Sequence, residues 1–181
     1  MSRDRSNLTW IDLETTGLSV ANRAIVEIAS IVTDKNLNII AEGPNLVIQQ
    51  PDEVLARIDP WCRQQHGLSG LLAASRASSV SLREAEQRTL RFVRKHTHRG
   101  VSPLCGNSIL LDRRFIMHYM PDLNTHLSYR NVDVSAVNEL AIRWFPGVVA
   151  KLDKVTRHRA VADIRGSIDE LRLYRQLIFR E

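Results

Sequence analysis

Between Leu8 and Leu13 apolar residues fall on both parities of the chain, Leu8 and Trp10 on one and Ile11 and Leu13 on the other. A strand that is apolar on both faces is a central strand covered from both sides. Residues 7–14 therefore read as a strand that ends before Gly17. Ala24 to Thr33, rich in Ile, Val and Ala, reads as a second strand. Asp34-Lys35-Asn36 reads as a turn and Leu37 to Gln49 as a third strand, which makes an antiparallel meander. Residues 51–80 carry Pro51, Pro60, Gly67, Gly70 and several serines, and predict irregular chain with short helical turns.

From there the apolar period lengthens to that of a helix. Ser81-Leu82-Arg83-Glu84 fits a capping box, with Leu82, Ala85, Leu90 and Val93 supplying the apolar side of the helix that follows. Its polar side, Arg83, Arg88, Arg91, Arg94 and Lys95, reads as a solvated face. Pro103 to Gly106 is a short strand, followed by a helix from about Ser108 to Met120 that Pro121 ends. Asn131 to Val134 is another short strand, and Ser135 is expected to cap a helix running to Trp144. Val161 to Phe179 is the last helix, with Ile164, Ile168, Leu171, Tyr174 and Ile178 as its stripe. The order βββ-α-βα-βα-α predicts an α/β fold, a mixed sheet with helices on both faces, in a single domain over residues 1–181.

Composition narrows the class. No apolar run reaches membrane-spanning length, and the polar Met1 to Asn7 lacks a signal-peptide core. Two cysteines, Cys62 and Cys105, imply neither a disulfide framework nor a CxxC metal pair, so a reducing cytoplasm is the expected setting. The net charge of +5 fits an anionic partner such as nucleic acid as well as it fits a plain basic surface. Most of the positive residues are arginine, which suits bidentate phosphate contacts.

Four carboxylates and one histidine carry the candidate chemistry. Asp12 and Glu14 are two apart on a strand and so share a side. Like charges that close repel, and one would protonate unless a cation lay between them. Asp112 falls early in its helix, where the macrodipole alone would favour an acid. Gly106-Asn107-Ser108 before it makes a strand-to-helix junction whose N–H groups could face a phosphate. His158 and Asp163, five apart, would diverge by about 140° on one helix. They converge only if His158 lies on the polar loop Lys151 to Arg159 and Asp163 in the next early turn.

Taken together, Asp12-x-Glu14, Gly106-Asn107-Ser108 with Asp112-Arg113-Arg114-Phe115, and His158-Arg159-Ala160-Val161-Ala162-Asp163 resemble the DEDDh 3′–5′ exonucleases, which have a ribonuclease H-like fold. The resemblance is closer still to the oligoribonuclease family, through Val32-Thr33-Asp34, Ala41-Glu42-Gly43-Pro44, Cys105-Gly106-Asn107-Ser108, Asp133-Val134-Ser135 and Ala162-Asp163-Ile164-Arg165. It covers essentially the whole chain. It implies that Asp12, Glu14, Asp112 and Asp163 hold two Mg²⁺ or Mn²⁺ ions, hard cations that take oxygen ligands. It implies that His158 is the general base, a role suited to an imidazole's ordinary pKa of about 6.5.

The resemblance also implies substrate contacts: Leu18 as a wedge between two bases, Trp61 and His66 near a dinucleotide, and Ser108, Arg130 and Ser135 as a cap on a 5′-phosphate. Tyr129 matches a residue that reaches in from the second subunit of a homodimer. The implied substrate is short single-stranded RNA, cut to 5′-mononucleotides. Rival readings are a proofreading or tRNA-trimming exonuclease acting on longer strands, a non-catalytic nucleic-acid adaptor on the same fold, and a metal-free domain whose acids are merely solvated.

Overall fold

The protein is represented by a computed structural model that describes residues 3–150 and 159–179. A five-stranded sheet has the order β3-β2-β1-β4-β5. Its strands are β1 (Leu8–Thr15), β2 (Ile25–Thr33), β3 (Ile39–Val47), β4 (Leu104–Gly106) and β5 (Asn131–Asp133). The first three form the expected antiparallel meander, and β4 and β5 join parallel to β1, so the sheet is mixed. The third strand is shorter than expected because Leu37 sits in the preceding turn with a left-handed φ of 68°.

Helices cover both faces, as the two-parity pattern predicts. Ile11 and Ile28 pack against α4 (Leu82–His96), α5 (Leu110–Tyr119) and α6 (Pro121–His126), burying Ala85, Leu90, Val93, Phe115, Ile116 and Leu123. Trp10, Ala29 and Ile31 pack on the other face against α7 (Val134–Trp144) and α9 (Ala160–Leu177), burying Ala141, Ile164, Ile168 and Tyr174. The segment 51–80, expected to be irregular, holds three short helices, α1 (Asp52–Ala56), α2 (Pro60–Leu68) and α3 (Leu71–Ala77). A fourth, α8 (Pro146–Val149), follows α7.

Several boundaries move for identifiable reasons. Pro121 ends α5 and also occupies the first turn of α6, where a missing N–H costs nothing. The two N–H groups that follow it, of Asp122 and Leu123, donate to buried Glu86 at 2.8 and 3.1 Å. Ser81 caps α4 as expected, accepting from the Glu84 N–H at 3.2 Å. Ser135 does not cap α7: Asp133 does, accepting from the Ser135 N–H at 2.9 Å, because the helix begins two residues early. α5 starts at Leu110 because Ser108 has a φ of 50° that no helix accommodates.

Candidate active site

Asp12 and Glu14 share the face of β1 that Trp10 buries under α9. Along β2 the facing positions are Ala29 opposite Asp12 and Glu27 opposite Glu14. Asp163 stands in the first turn of α9. Carboxylate oxygens of Asp12, Glu14 and Asp163 lie within 4.8 Å of one another. Asp112 comes from α5 and thus from the other side of the sheet. The β1–β4 ladder pairs Thr9 with Leu104 and Trp10 with Cys105, and β4 stops at Gly106. That leaves the Leu13 N–H of β1 without a strand partner, and Asp112 Oδ1 accepts it at 2.9 Å. Gly106 is needed at this divergence: a Cβ there would stand 2.8 Å from the Ile109 side chain and 3.4 Å from the Ile11 carbonyl.

The four acids are poised to receive positive charge. Burial first, and then repulsion from Asp112, Glu14, Asp163 and Glu27, pushes the Asp12 carboxyl well above the usual carboxylate range. Burial and the same neighbours push Glu14 up to about 8, against the opposing pull of Arg159. Asp112 is pushed up to about 7, again by burial, although its bond from Leu13 N–H works the other way. Such a cluster is unfavourable as an array of free anions and favourable around dications. An all-oxygen donor set suits Mg²⁺ or Mn²⁺ and not a soft metal.

Two residues that the sequence reading missed complete this face. Glu27 is fully buried and accepts from the Arg159 side chain, Nη2 at 2.8 Å and Nε at 3.2 Å, and from the Ala160 N–H at 3.2 Å. The Arg159 N–H in turn donates to Asp163 Oδ2 at 3.2 Å. Glu27 thus seats the start of α9 and keeps one cation beside the acids. Its signal in the sequence was a single acid inside the apolar run Ile25-Val26-Glu27-Ile28-Ala29. His158, the expected base, lies outside the described residues.

The expected substrate contacts fall into two groups. Leu18 is 73% exposed and Trp61 56% exposed, so neither is spent on core packing. Leu18 follows the end of β1, and α2, which carries Trp61, is tied to the same end. The Asp59 N–H donates to the Thr16 carbonyl at 2.9 Å, and the Asp59 side chain caps α2 through the Trp61 N–H at 3.0 Å. His66, on the same helix, is buried, with Nε2 2.8 Å from the Thr15 carbonyl and Nδ1 3.8 Å from Glu14. Its ring therefore stands next to Glu14.

Ser108 and Ser135 meet, their hydroxyls 3.2 Å apart, beyond the carboxyl ends of β4 and β5. Arg130 does not join them within this chain. It precedes β5, whereas Ser135 follows it, and an extended strand separates the two ends by roughly 10 Å. Arg130 instead donates from Nε to the hydroxyl of Tyr129 at 3.1 Å and lies over that ring. Tyr129 is 79% exposed. Arg113 fixes this corner by donating to the Ser128 carbonyl at 2.9 Å.

Comparison with known proteins agrees with the geometry. The model of the exonuclease family RNase_T matches residues 9–171. The chain is 53% identical over 173 residues to an oligoribonuclease of Marinobacter nauticus, covering 96% of each chain. It is 50% identical over 176 residues to an oligoribonuclease of Haemophilus influenzae, covering 97% of each. Among solved structures it is similar in fold to the zinc-bound complex of E. coli exonuclease I with single-stranded DNA, at a TM-score of 0.75 and 16% identity. It is also similar to exonuclease I of Methylocaldum szegediense, at 0.74 and 20%. It covers 98% and 95% of itself in these matches but only 42% and 41% of those longer chains. No helix among the described residues is long and apolar enough to cross a membrane.

Proposed function

The chain belongs to the exonuclease family and, within it, to the oligoribonucleases, and from that premise we propose that it is a 3′–5′ exoribonuclease that degrades short oligoribonucleotides to 5′-mononucleotides. The observation that carries the reading is the cluster of Asp12, Glu14 and Asp163, with Asp112 at its edge. Asp12, Glu14, Asp112 and Asp163 would hold two divalent cations, Mg²⁺ or Mn²⁺. When bound, these supply an activated water and stabilise the charge on the leaving 3′-oxygen. Four carboxylates and two dications sum to zero charge, so an anionic phosphodiester approaches without net repulsion.

The chain's own groups do the rest. His158, covalently next to Arg159, takes the proton of the attacking water. Leu18 and Trp61, both exposed, contact the bases, and His66 stands beside Glu14. Ser108 and Ser135 form the site for the substrate's 5′-phosphate. Tyr129 and Arg130, bonded to each other, act as one unit. That unit serves the neighbouring site of a homodimer, where Arg130 completes the phosphate cap. A cap two nucleotides from the scissile bond makes the 5′-phosphorylated dinucleotide the preferred substrate. A cytoplasmic enzyme acting on RNA fragments fits the two free thiols.

The test is to incubate the purified protein with Mn²⁺ and 5′-labelled RNAs of two to twenty nucleotides and compare initial rates. The dinucleotide is expected to be cut fastest. Equal kcat/KM for dinucleotide and ten-mer would favour a general exonuclease for longer strands. No turnover of any length, with binding retained, would favour a non-catalytic adaptor.

A further inference from the structure

Behind the two serines a chain of hydrogen bonds runs into the core and reaches an acid to which no role has been given. Glu170 is 6% exposed, on α9, two turns beyond Asp163. Its Oε1 accepts from the hydroxyl of fully buried Tyr174 at 2.8 Å. Its Oε2 accepts from Asn107 Nδ2 at 3.2 Å. Asn107 Nδ2 also donates to Ser167 Oγ at 2.9 Å, while Ser167 gives its own proton to the Asp163 carbonyl at 2.9 Å.

Both neighbours of the Asn107 nitrogen can therefore only accept: one is a carboxylate, and the other has already spent its hydrogen. The amide cannot be turned over without setting its oxygen against two acceptors. Its Oδ1 must then face outward, where the Ser135 hydroxyl donates to it at 3.0 Å. That commits the single proton of Ser135. What Ser135 offers Ser108 is lone pairs: they take the Ser108 N–H at 2.9 Å and stand 3.2 Å from its Oγ. The Ser108 N–H also reaches Asp133 Oδ1 at 3.1 Å, which helps hold the left-handed φ of 50° at this exposed residue. The Ser108 hydroxyl is thus the one that can rotate to an arriving anion without breaking the chain behind it.

We propose that Glu170 is a positioning residue for 5′-phosphate recognition, acting through Asn107 to fix the placement and proton direction of Ser135 and Ser108. The inference rests on the reading of the two serines as the phosphate site. It adds a specificity determinant that touches neither substrate nor metal. Because the chain reaches α9, the helix that also carries Asp163, cap and acids share one support.

The experiment compares kcat/KM for a dinucleotide bearing a 5′-phosphate with that for the same dinucleotide bearing a 5′-hydroxyl. It uses the unmodified protein and the variants Glu170→Leu, Glu170→Gln and Asn107→Ala. Losing well-placed contacts to a charged phosphate is expected to lower the phosphate preference by about tenfold or more in Glu170→Leu and Asn107→Ala, with the 5′-hydroxyl substrate little affected. Glu170→Gln is expected to keep the preference. A glutamine can hold its oxygen toward Asn107 and its nitrogen toward Tyr174, whose proton then turns to Asn138 Oδ1, 2.7 Å away. Asn107→Ala cuts the chain nearer the surface, so the test survives a poorly folded Glu170→Leu. Loss of the same factor from both substrates in Glu170→Leu and Asn107→Ala would show mere structural damage and overturn the proposal, as would an unchanged preference in both. An unmodified protein without any preference would instead refute the phosphate-site reading itself.

Discussion

Removing the metals should make the protein's stability fall with pH in a window where most proteins are indifferent to it. Glu14 is 12% exposed at its side chain and is pushed up to about 8, against about 4.5 for a free glutamate. Between these values the folded state holds a proton that the unfolded chain has released. Unfolding then sheds that proton, and stability drops as pH rises, by about 1.4 kcal/mol per pH unit while the difference lasts. From pH 6.5 to 8 this amounts to about 2 kcal/mol from Glu14. Asp112, pushed up to about 7, adds somewhat under ~1 kcal/mol over the same range. Asp12 acts in the same direction. His96 and His126, whose burial lowers their pKa, oppose the trend, but most of their effect falls below pH 6.5 and each adds at most about 0.4 kcal/mol above it. In the window above it the acids outweigh the histidines.

The assay is urea denaturation at constant ionic strength from pH 6.5 to 8, once in EDTA and once in saturating Mg²⁺. Stability in EDTA should fall by about 2–3 kcal/mol, and the fall should vanish with metal, whose charge keeps the carboxylates ionised in the folded state. Glu14→Gln should remove most of the slope while abolishing activity. A metal-free stability that holds level or rises across the window would refute the electrostatic account of the cluster.

Further outcomes follow from individual residues. His158→Ala should abolish turnover and leave Mn²⁺ binding intact by calorimetry, since the histidine is assigned as a base and not a ligand; lost binding would contradict this. Asp12→Ala should lose both activity and bound metal, and near-normal rates in saturating Mg²⁺ would reject its role. Glu27→Ala should lower stability by about 2–4 kcal/mol in denaturant titrations, because it strips the carboxylate from Arg159 and the acceptor from the Ala160 N–H; an unchanged midpoint would show that the pair does not seat α9. Tyr129→Ala should impair activity, and the unmodified protein should be a dimer by light scattering; a fully active monomer would rule out a composite site.

Much of this arrangement was legible in the chain. Two-parity strands announced a sheet covered on both sides, and Asp12 and Glu14 two apart on one strand had to share a face. What stayed hidden depended on distance in space. Three helices in 51–80 are too short to establish a period, and each begins beside a proline or glycine that also reads as a breaker. Arg130 and Ser135 look like neighbours in sequence, yet β5 is extended between them and carries them to opposite ends. Glu27 and Glu170 sit on elements whose apolar patterns were read correctly, but an acid on such an element shows its purpose only when the partner, Arg159 or Asn107, is in place.

The division of the acids between the two faces of the sheet bears on when the enzyme can exist at all. Asp112 is delivered by a helix that condenses with α4 and α6, and Asp163 by one that condenses with α7. The two apolar clusters share no side chain, and the acids meet only around the free edge of β1. β1 brings Asp12 and Glu14 to either layer, so a chain with one layer assembled still lacks one of the four acids, Asp112 or Asp163.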